Sequence, residues 1–457
     1  MLPLRTFQTH IYAVGQSGTG KSKFLQHVLF ELTTKGWGAG VLDPHSDLAH
    51  DLIAQLFDAG WLAQPQNRQR IIFLDPSRTD YLIPTNLLKC SYTTPHQTAE
   101  NIVEAFRRVW PETLSEAPRF AQILRNALIV LIENSLSLAE LEPLLTNHKW
   151  RSHLLMSTTD SEAVSFFTGQ YDRWGREQIF FAGPVLNKIS AFLFQPSVRL
   201  SLGASENRLD FRRIIDNGTI LIADLGGLNG ETQQLYGSLL VTLLEQAAMS
   251  RRNATTRRPY VCLIDEFPFF CSRDATTLAR ILSEVRKFNC FLGLAHQTIA
   301  QTDNRMRGAL ENAKAKVIFS TGRATAEAIV KELFMPNMRA VKHEVKDESA
   351  QERTHPLFDP MLEQFERFTQ TIQRLKKRRV LVKLPDKEQV YHLRTPSVPK
   401  ARVGRAQLAR IKEALVRQVG VPQAELARQI GARGEQYAPP SSSRKPPRTF
   451  WEDAPAA

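Results

Sequence analysis

The sequence predicts an α/β protein built on a mostly parallel β-sheet, because short apolar stretches alternate with amphipathic stretches of helical periodicity. Seven apolar stretches have the length and near-continuous hydrophobicity of strands that are buried on both faces. They are IYAVG (11–15), GAGVLD (38–43), RIIFLD (70–75), TILIADLG (219–226), YVCLIDEF (260–267), FLGLAHQ (291–297) and AKVIFST (315–321). Intervening stretches such as FLQHVLFELTTK and TTLARILSEVRKF supply the covering helices.

Strand signals disappear between residues 94 and 208, where helical patterns such as FAQILRNALIVLIEN dominate. We therefore expect a first part of the core at 1–93, an all-helical insertion at 94–208 and a second part of the core at 209–400. The second part ends in a hairpin formed by RRVLVKLP and EQVYHLRT. Residues 401–457 read as a basic helical stretch and a disordered tail, because YAPPSSSRKPPRTFWEDAPAA is too rich in Pro and Ser to bury a core.

The charge of the chain favours a polyanionic partner. Fifty-nine Lys and Arg residues against 46 Asp and Glu residues give a formal net charge of +13. Nucleic acid and an acidic membrane surface both fit this charge, and a basic surface that serves only solubility is the alternative.

Cysteine usage and hydropathy bear on location. The four cysteines show no C-x-x-C spacing, and Cys262 and Cys290 lie in apolar runs, so we expect reduced thiols in a cytoplasmic protein. No run of about 18 uncharged apolar residues is present, so we expect no transmembrane segment. Membrane contact would then be peripheral or through a partner.

The stretch GQSGTGKS fits the phosphate-loop pattern G-x4-G-K-[ST], and it follows an apolar strand and opens a helix. In this pattern glycines let backbone N–H groups converge on phosphate, the lysine neutralises the β- and γ-phosphates, and the hydroxyl binds magnesium. An ordinary glycine-rich turn is disfavoured by this placement. We therefore predict ATP and Mg²⁺ as cofactors, bound by Gly15, Gln16, Ser17, Gly18, Thr19, Gly20, Lys21 and Ser22.

Two further strand ends carry residues suited to hydrolysis. In VCLIDEF, Asp265 is expected to hold the magnesium-bound water shell and Glu266 to polarise the attacking water. Gln297 ends FLGLAHQ and could hydrogen-bond the γ-phosphate or the water, although a glutamine after a strand is often structural. Ends of adjacent parallel strands converge on one crevice, so these residues are predicted to meet.

Arginines could complete the site. Arg286, in LSEVRKFN, is either a cation facing the end of a helix or an arginine finger that reaches the nucleotide of a neighbouring subunit. Arg323, after AKVIFST, is a second candidate. Spacing alone assigns neither.

Together, GQSGTGKS, VLDPHSDL, VCLIDEF, ILSEVRKFNCFLGLAHQTIAQ and NAKAKVIFSTG resemble the HerA/FtsK superfamily of hexameric translocases. Within it the chain is most similar to the conjugative coupling proteins of type IV secretion and their soluble relatives, over roughly residues 8–335. The resemblance implies a RecA-like P-loop NTPase core with an inserted all-helical domain.

Carried over residue by residue, the resemblance implies that Lys21 and Ser22 form the phosphate-loop pair, and that Asp265 and Glu266 are the metal-binding and catalytic acids. It implies further that Gln297 is a sensor. It makes Arg286, ahead of Arg323, the arginine finger that acts in trans. The catalytic set that it implies consists of Lys21, Glu266, Gln297 and Arg286. Because the phosphate loop begins at residue 15, we expect the chain to depart from these relatives in having neither a transmembrane anchor nor an N-terminal β-barrel.

Three functions fit these observations. The leading one is a homohexameric ATPase that translocates DNA, double-stranded and without sequence preference, in conjugative or mobile-element transfer or in DNA processing. A relaxase, a nuclease or a secretion complex would be its partner. The alternatives are a secretion-type ATPase for protein export or pilus assembly, and a nucleotide-gated DNA-binding scaffold.

The basic stretch at 400–433 leaves two readings. Its arginines could bind DNA, and VPQAELARQIGA faintly resembles the first part of a helix-turn-helix. A solvated interaction tail is the alternative.

Overall fold

The structure is a computed structural model that describes residues 8–112, 118–271, 275–339, 341–346, 354–385 and 387–435. The tail predicted to be disordered, YAPPSSSRKPPRTFWEDAPAA, lies outside the described residues. Within them, no helix has both the length and the apolar character that crossing a membrane requires.

The strands are short and mostly apolar. In chain order they are β1 Ile11–Val14, β2 Gly38–Asp43, β3 Ile71–Leu74, β4 Tyr81–Leu82, β5 Ile220–Asp224, β6 Tyr260–Ile264, β7 Cys290–His296, β8 Ala315–Ile318, β9 Val341–Lys346, β10 Thr354–Phe358, β11 Arg379–Lys383, β12 Val390–Arg394 and β13 Val421–Pro422.

The α-helices lie between the strands and in one long run between β4 and β5. In chain order they are α1 Lys21–Thr34, α2 Asp47–Asp58, α3 Pro65–Arg68, α4 Pro95–Val109, α5 Pro118–Glu133, α6 Leu141–Thr146, α7 His148–Ser157, α8 Ser161–Ser165, α9 Gln178–Phe192, α10 Pro196–Leu202, α11 Phe211–Asn217, α12 Gly230–Met249, α13 Ala275–Glu284, α14 Asn304–Leu310, α15 Arg323–Leu333, α16 Met361–Gln373, α17 Arg405–Arg417 and α18 Gln423–Gly434.

Among the described residues, nine strands form one sheet in the order β12-β11-β8-β1-β7-β6-β2-β5-β3. The seven strands from β8 to β3 are parallel, and β11 is antiparallel to both β8 and β12. All seven stretches that the sequence predicts as strands contribute to this sheet. The predicted class, a mostly parallel RecA-like α/β core, is confirmed.

Side chains of each strand alternate between two hydrophobic cores, because successive residues of a strand point to opposite faces of the sheet. In β1, Ile11 and Ala13 pack with α1 and α2, whereas Tyr12 and Val14 pack on the other face, which α12, α13 and α15 cover. Burial on both faces explains why these strands are apolar throughout.

Between β4 and β5 every regular element of the described residues is helical. The run begins at α4, where Thr94 accepts a hydrogen bond from the backbone N–H of Gln97 and Pro95 occupies the first turn. Both features favour a helix start at this point. Helices α4 and α9 pack on α12, so the helical run shares a core with one face of the sheet. The domain boundaries at 94 and 208 stay predictions.

The basic stretch after residue 401 folds back onto the rest of the chain. Helix α17 packs along β3, where Leu415 and Val416 are buried, and β13 pairs with β4. Helix α18 packs on α10, with Leu426 buried there. These apolar contacts attach the stretch to both the sheet and the helical run.

Candidate nucleotide site

The candidate site lies at the carboxyl edge of the sheet, at the adjacent strands β1, β7 and β6. Parallel strands present their carboxyl ends on one edge, and crevices at that edge are the usual ligand sites of such sheets. The phosphate loop follows β1, Gln297 follows β7, and Asp265 and Glu266 follow β6.

Neighbouring strands fix the first part of the phosphate loop. The N–H of Gly15 donates to the carbonyl of His296 at 3.3 Å, and the N–H of Gln16 donates to that of Ser320 at 3.0 Å. A Cβ atom at Gly15 would overlap the side chain of Phe319. Only glycine therefore lets the loop lie this close to β8.

The second part of the loop turns into α1 through two left-handed residues. Gly18 has φ 78° and Gly20 has φ 111°, values that are costly for any residue with a Cβ atom. The hydroxyl of Thr19 donates to the carbonyl of Gln16 at 2.7 Å, which closes the turn. The first N–H groups of α1 have no carbonyl of their own helix to bind, so they are available to an anion.

Lys21 and Glu266 form a buried ion pair, with Nζ and Oε1 at 2.7 Å. Burial is the largest single effect and would raise the pKa of Glu266, but the hydrogen bond and the charge of the Lys21 ammonium, together with hydrogen bonds from Gln297 and Gln301, lower that pKa below its usual value. The backbone of Glu266 is left-handed, at φ 46°. Strained conformations of this kind are retained where surrounding structure fixes a functional group. The glutamate is thus ionised and directed at the phosphate-loop lysine.

Ser22 and Asp265 offer oxygen atoms on the same side of the loop. The Ser22 hydroxyl lies 3.5 Å from Oδ2 of Asp265. Burial raises the pKa of Asp265 to about 6, although the ammonium of Lys21 acts in the opposite direction. The nearby ammonium therefore offsets only part of the effect of burial, and a divalent ion beside Asp265 would favour its ionised form.

This pair fits Mg²⁺, which prefers oxygen ligands and commonly takes one or two protein groups together with water and nucleotide phosphates. Within the described residues, no cluster of three or more His, Cys, Asp or Glu side chains could hold a metal ion. The metal would therefore depend on the phosphates for the rest of its ligands.

Gln297 and Gln301 surround the carboxylate of Glu266, and hydrogen bonds from both side chains help to keep its pKa low. The amide of Gln301 donates to Oε2 of Glu266 at 3.4 Å. Its oxygen accepts from the backbone N–H groups of Gln297 and Thr298, at 3.1 and 3.0 Å. Gln301 thereby links the end of β7 to Glu266. Sequence reasoning missed it, although T-x-x-Q after a strand is a capping-box pattern that could have drawn attention to it.

The structure does not bring Arg286 to this site. Arg286 lies in the 3₁₀ turn Val285–Phe288 before β7, at the opposite edge of the sheet, where its side chain is exposed. The seven residues of β7 separate it from the carboxyl edge by about 20 Å. Arg286 therefore does not reach the phosphate loop of its own chain.

Two further arginines, which sequence reasoning also missed, hold the turn that carries Arg286. Arg251 is fully buried and donates to the carbonyl of Phe288 at 2.8 Å. Arg257 donates to the carbonyl of Lys287 at 3.2 Å and lies over the Phe288 ring. These two arginines hold the backbone of the turn, while the guanidinium of Arg286 stays exposed.

Arg323 begins α15 at the carboxyl edge, but carboxylates of its own chain occupy it. It pairs with Glu366 at 2.8 Å and with Glu327 at 2.7 Å. Hydrogen bonds to these two carboxylates raise its pKa further. This pairing makes Arg323 the weaker candidate for a finger.

The fold and the loop define a RecA-like P-loop core. Comparison with solved structures agrees: the chain is similar to the bacterial conjugative coupling protein TrwB in an unbound form, with a TM-score of 0.58 and 17% identity over 88% of each chain. TrwB in complex with ADP and Mg²⁺ gives a TM-score of 0.57 and 16% identity over the same shares. VirB4 of Thermoanaerobacter pseudethanolicus gives a TM-score of 0.54 and 13% identity over 85% of this chain and 90% of that one.

At these identities the likeness shows a shared fold. No protein-family model matches the chain, and no curated protein matches it in sequence. The resemblance to coupling proteins found in the sequence is thus confirmed at the level of the fold, over nearly the whole chain.

Proposed function

We propose that the protein is an ATPase that works as a ring and translocates double-stranded DNA in conjugative or mobile-element transfer or in DNA processing. The proposal rests on one observation: at the carboxyl edge of the sheet, the side chains of four residues lie close together, namely Lys21, Ser22, Asp265 and Glu266. The fold shared with TrwB, a protein solved with ADP and Mg²⁺ and with a non-hydrolysable ATP analogue, supports the same nucleotide and metal here.

In this proposal Lys21 exchanges one anion for another. Its ammonium is held by Glu266 at 2.7 Å in the structure and moves to the phosphates when a nucleotide enters the loop. Glu266 is then released to accept a proton from the attacking water, with Gln297 and Gln301 holding its orientation. Ser22 and Asp265 would hold Mg²⁺, which would supply positive charge next to the phosphates.

Arg286 makes hydrolysis depend on assembly. Because it lies at the edge of the sheet away from its own loop, a head-to-tail ring would place it against the loop of the adjoining protomer. A guanidinium there stabilises charge in the transition state. We propose a homohexamer on the basis of the resemblance.

DNA is the proposed substrate because the chain carries a net positive charge and because its fold is similar to that of TrwB. The net charge of +13 suits a channel that contacts phosphates without reading bases, and TrwB is described as a plasmid coupling protein. Cytoplasmic location, and a relaxase, nuclease or secretion complex as partner, belong to the same proposal.

The test measures ATPase rate with and without linear duplex DNA, together with native mass. We expect a ring-sized mass and a rate that rises with DNA, with stimulation that weakens steeply as salt is added. Displacement of a triplex-forming strand then distinguishes a motor from a nucleotide-gated scaffold that binds DNA without moving. Absence of stimulation by every DNA form at low salt would contradict the proposal.

The likeness to VirB4, with a TM-score of 0.54, supports a second candidate, a secretion-type ATPase that energises protein export or pilus assembly. Ring ATPase activity that is indifferent to DNA and stimulated by a membrane-complex partner would favour this candidate.

A further inference from the structure

Arg378 lies directly against the phosphate loop, although it comes from the far end of the chain. Its backbone N–H donates to the carbonyl of Thr19 at 3.0 Å. A Cβ atom placed on Gly20 would lie 3.6 Å from Cγ of Arg378. The residue that precedes β11 is therefore part of the wall of the candidate site, at the point where the loop becomes α1.

The backbone of Arg378 is in an unfavourable conformation. Its φ is 68°, in the left-handed region that glycine tolerates and that other residues rarely adopt. Thr395 fixes it from the other side, since the N–H of Thr395 donates to the carbonyl of Arg378 at 2.8 Å. Non-glycine residues held this way concentrate at functional sites. If only the turn mattered here, glycine would form it without strain.

Within the described part of the chain, the guanidinium of Arg378 donates to one neutral acceptor. Its Nε and Nη2 atoms donate to the carbonyl oxygen of Thr395 at 3.3 and 3.0 Å, and the side chain is half-buried. Among the residues that the structure describes, no carboxylate pairs with it. Arg323 on the neighbouring strand end differs, because two glutamates neutralise it.

We infer that Arg378 is a nucleotide-binding residue that acts in cis, on the phosphates held by the loop of its own subunit. The inference rests on the proposed function, since it assumes that the loop binds a nucleotide. Arginine suits the role because its planar guanidinium offers several donors to phosphate oxygens. Lys21 is engaged by Glu266, whereas Arg378 brings to the loop a positive charge that no carboxylate of the described residues neutralises.

Replacement of Arg378 by glycine separates the guanidinium from the fold. Glycine adopts φ 68° readily and keeps the N–H that donates to Thr19, so Arg378→Gly removes only the side chain. We expect its affinity for a fluorescent ATP analogue with Mg²⁺ to fall at least tenfold, while its thermal midpoint without nucleotide stays at or above the wild-type value. Arg378→Lys, which keeps charge without the planar donors, should lose less affinity.

Arg379→Ala is the matched control, because this neighbouring arginine is exposed and should change affinity less than twofold. Wild-type affinity in Arg378→Gly would overturn the inference. It would also be overturned if Arg378→Gly and Arg378→Lys lost affinity equally and the thermal midpoint fell as well. Failure of the proposed function looks different, because Lys21→Ala and wild type would then bind the analogue equally weakly.

Discussion

The ion pair between Lys21 and Glu266 predicts that Glu266→Gln binds ATP more tightly than the wild-type protein. The ammonium of Lys21 and the carboxylate of Glu266 are buried and 2.7 Å apart. Lys21 must leave this carboxylate before it can reach a phosphate. Glutamine keeps the shape and an acceptor oxygen but has no charge, so the lysine is held less strongly.

The size of the effect follows from the two kinds of hydrogen bond. A bond to a charged group contributes about 1.5–3 kcal/mol net, against about 0.5–1.5 kcal/mol for a neutral pair. The difference of about 1–1.5 kcal/mol corresponds to roughly 5- to 13-fold in affinity. Removing a negative charge from the phosphate site acts in the same direction.

Equilibrium titration with a fluorescent ATP analogue measures the affinity, and phosphate release measures turnover. We expect tighter binding and almost no hydrolysis. Gln301→Ala is the control, because it leaves the ion pair and removes a 3.4 Å bond to Glu266 together with the acceptor of the Gln297 and Thr298 N–H groups. Its affinity should stay within about twofold. Equal or weaker binding by Glu266→Gln would refute the reasoning, and near-normal turnover would remove Glu266 from the role of base.

Three other predictions concern the same framework. Gly15→Ala should abolish tight nucleotide binding and cost about 1–3 kcal/mol of unfolding free energy, because its Cβ atom would overlap Phe319; calorimetry and titration check this, and wild-type binding would contradict it. Burial, and then the nearby charge of Arg286, lowers the pKa of His10 from 6.5 to about 4. Between these pH values the unfolded chain binds more protons than the folded chain, so the free energy of unfolding should fall as pH drops from 6.5 towards 4. In urea titrations, His10→Gln should make this pH dependence weaker. Arg257→Ala should lower ring ATPase activity while nucleotide affinity stays within twofold, because it loosens the turn of Arg286; unchanged activity would contradict this.

The sheet was predictable because its strands are buried on both faces and are therefore apolar without interruption. The order of the strands in the sheet could not be predicted. Strand β1 lies between β7 and β8, which are far from it in sequence, and tertiary packing brings these strands together. The packing of α17 and α18 was also missed. Their basic composition suggested a solvated tail, whereas a few apolar residues such as Val421 and Leu426 attach them to the core.

The candidate site likewise contains some residues that the sequence predicts and others that it does not. Lys21 and Asp265 are visible in sequence because a local motif and a strand end carry them. Arg378 had no such signal, because nothing in the run of basic residues around it indicates a left-handed backbone or contact with a loop more than 350 residues earlier in the chain. Roles for these residues stay predictions until they are measured.

Mixing two inactive variants tests the central claim most directly. Lys21→Ala has a disabled loop but an intact Arg286, and Arg286→Ala has the reverse. If the adjoining protomer completes each site, mixed rings of the two contain some sites with a working loop and a working arginine, and ATPase activity should reappear. Activity that stays at the sum of the two separate variants, in rings shown by native mass to be mixed, would contradict the account.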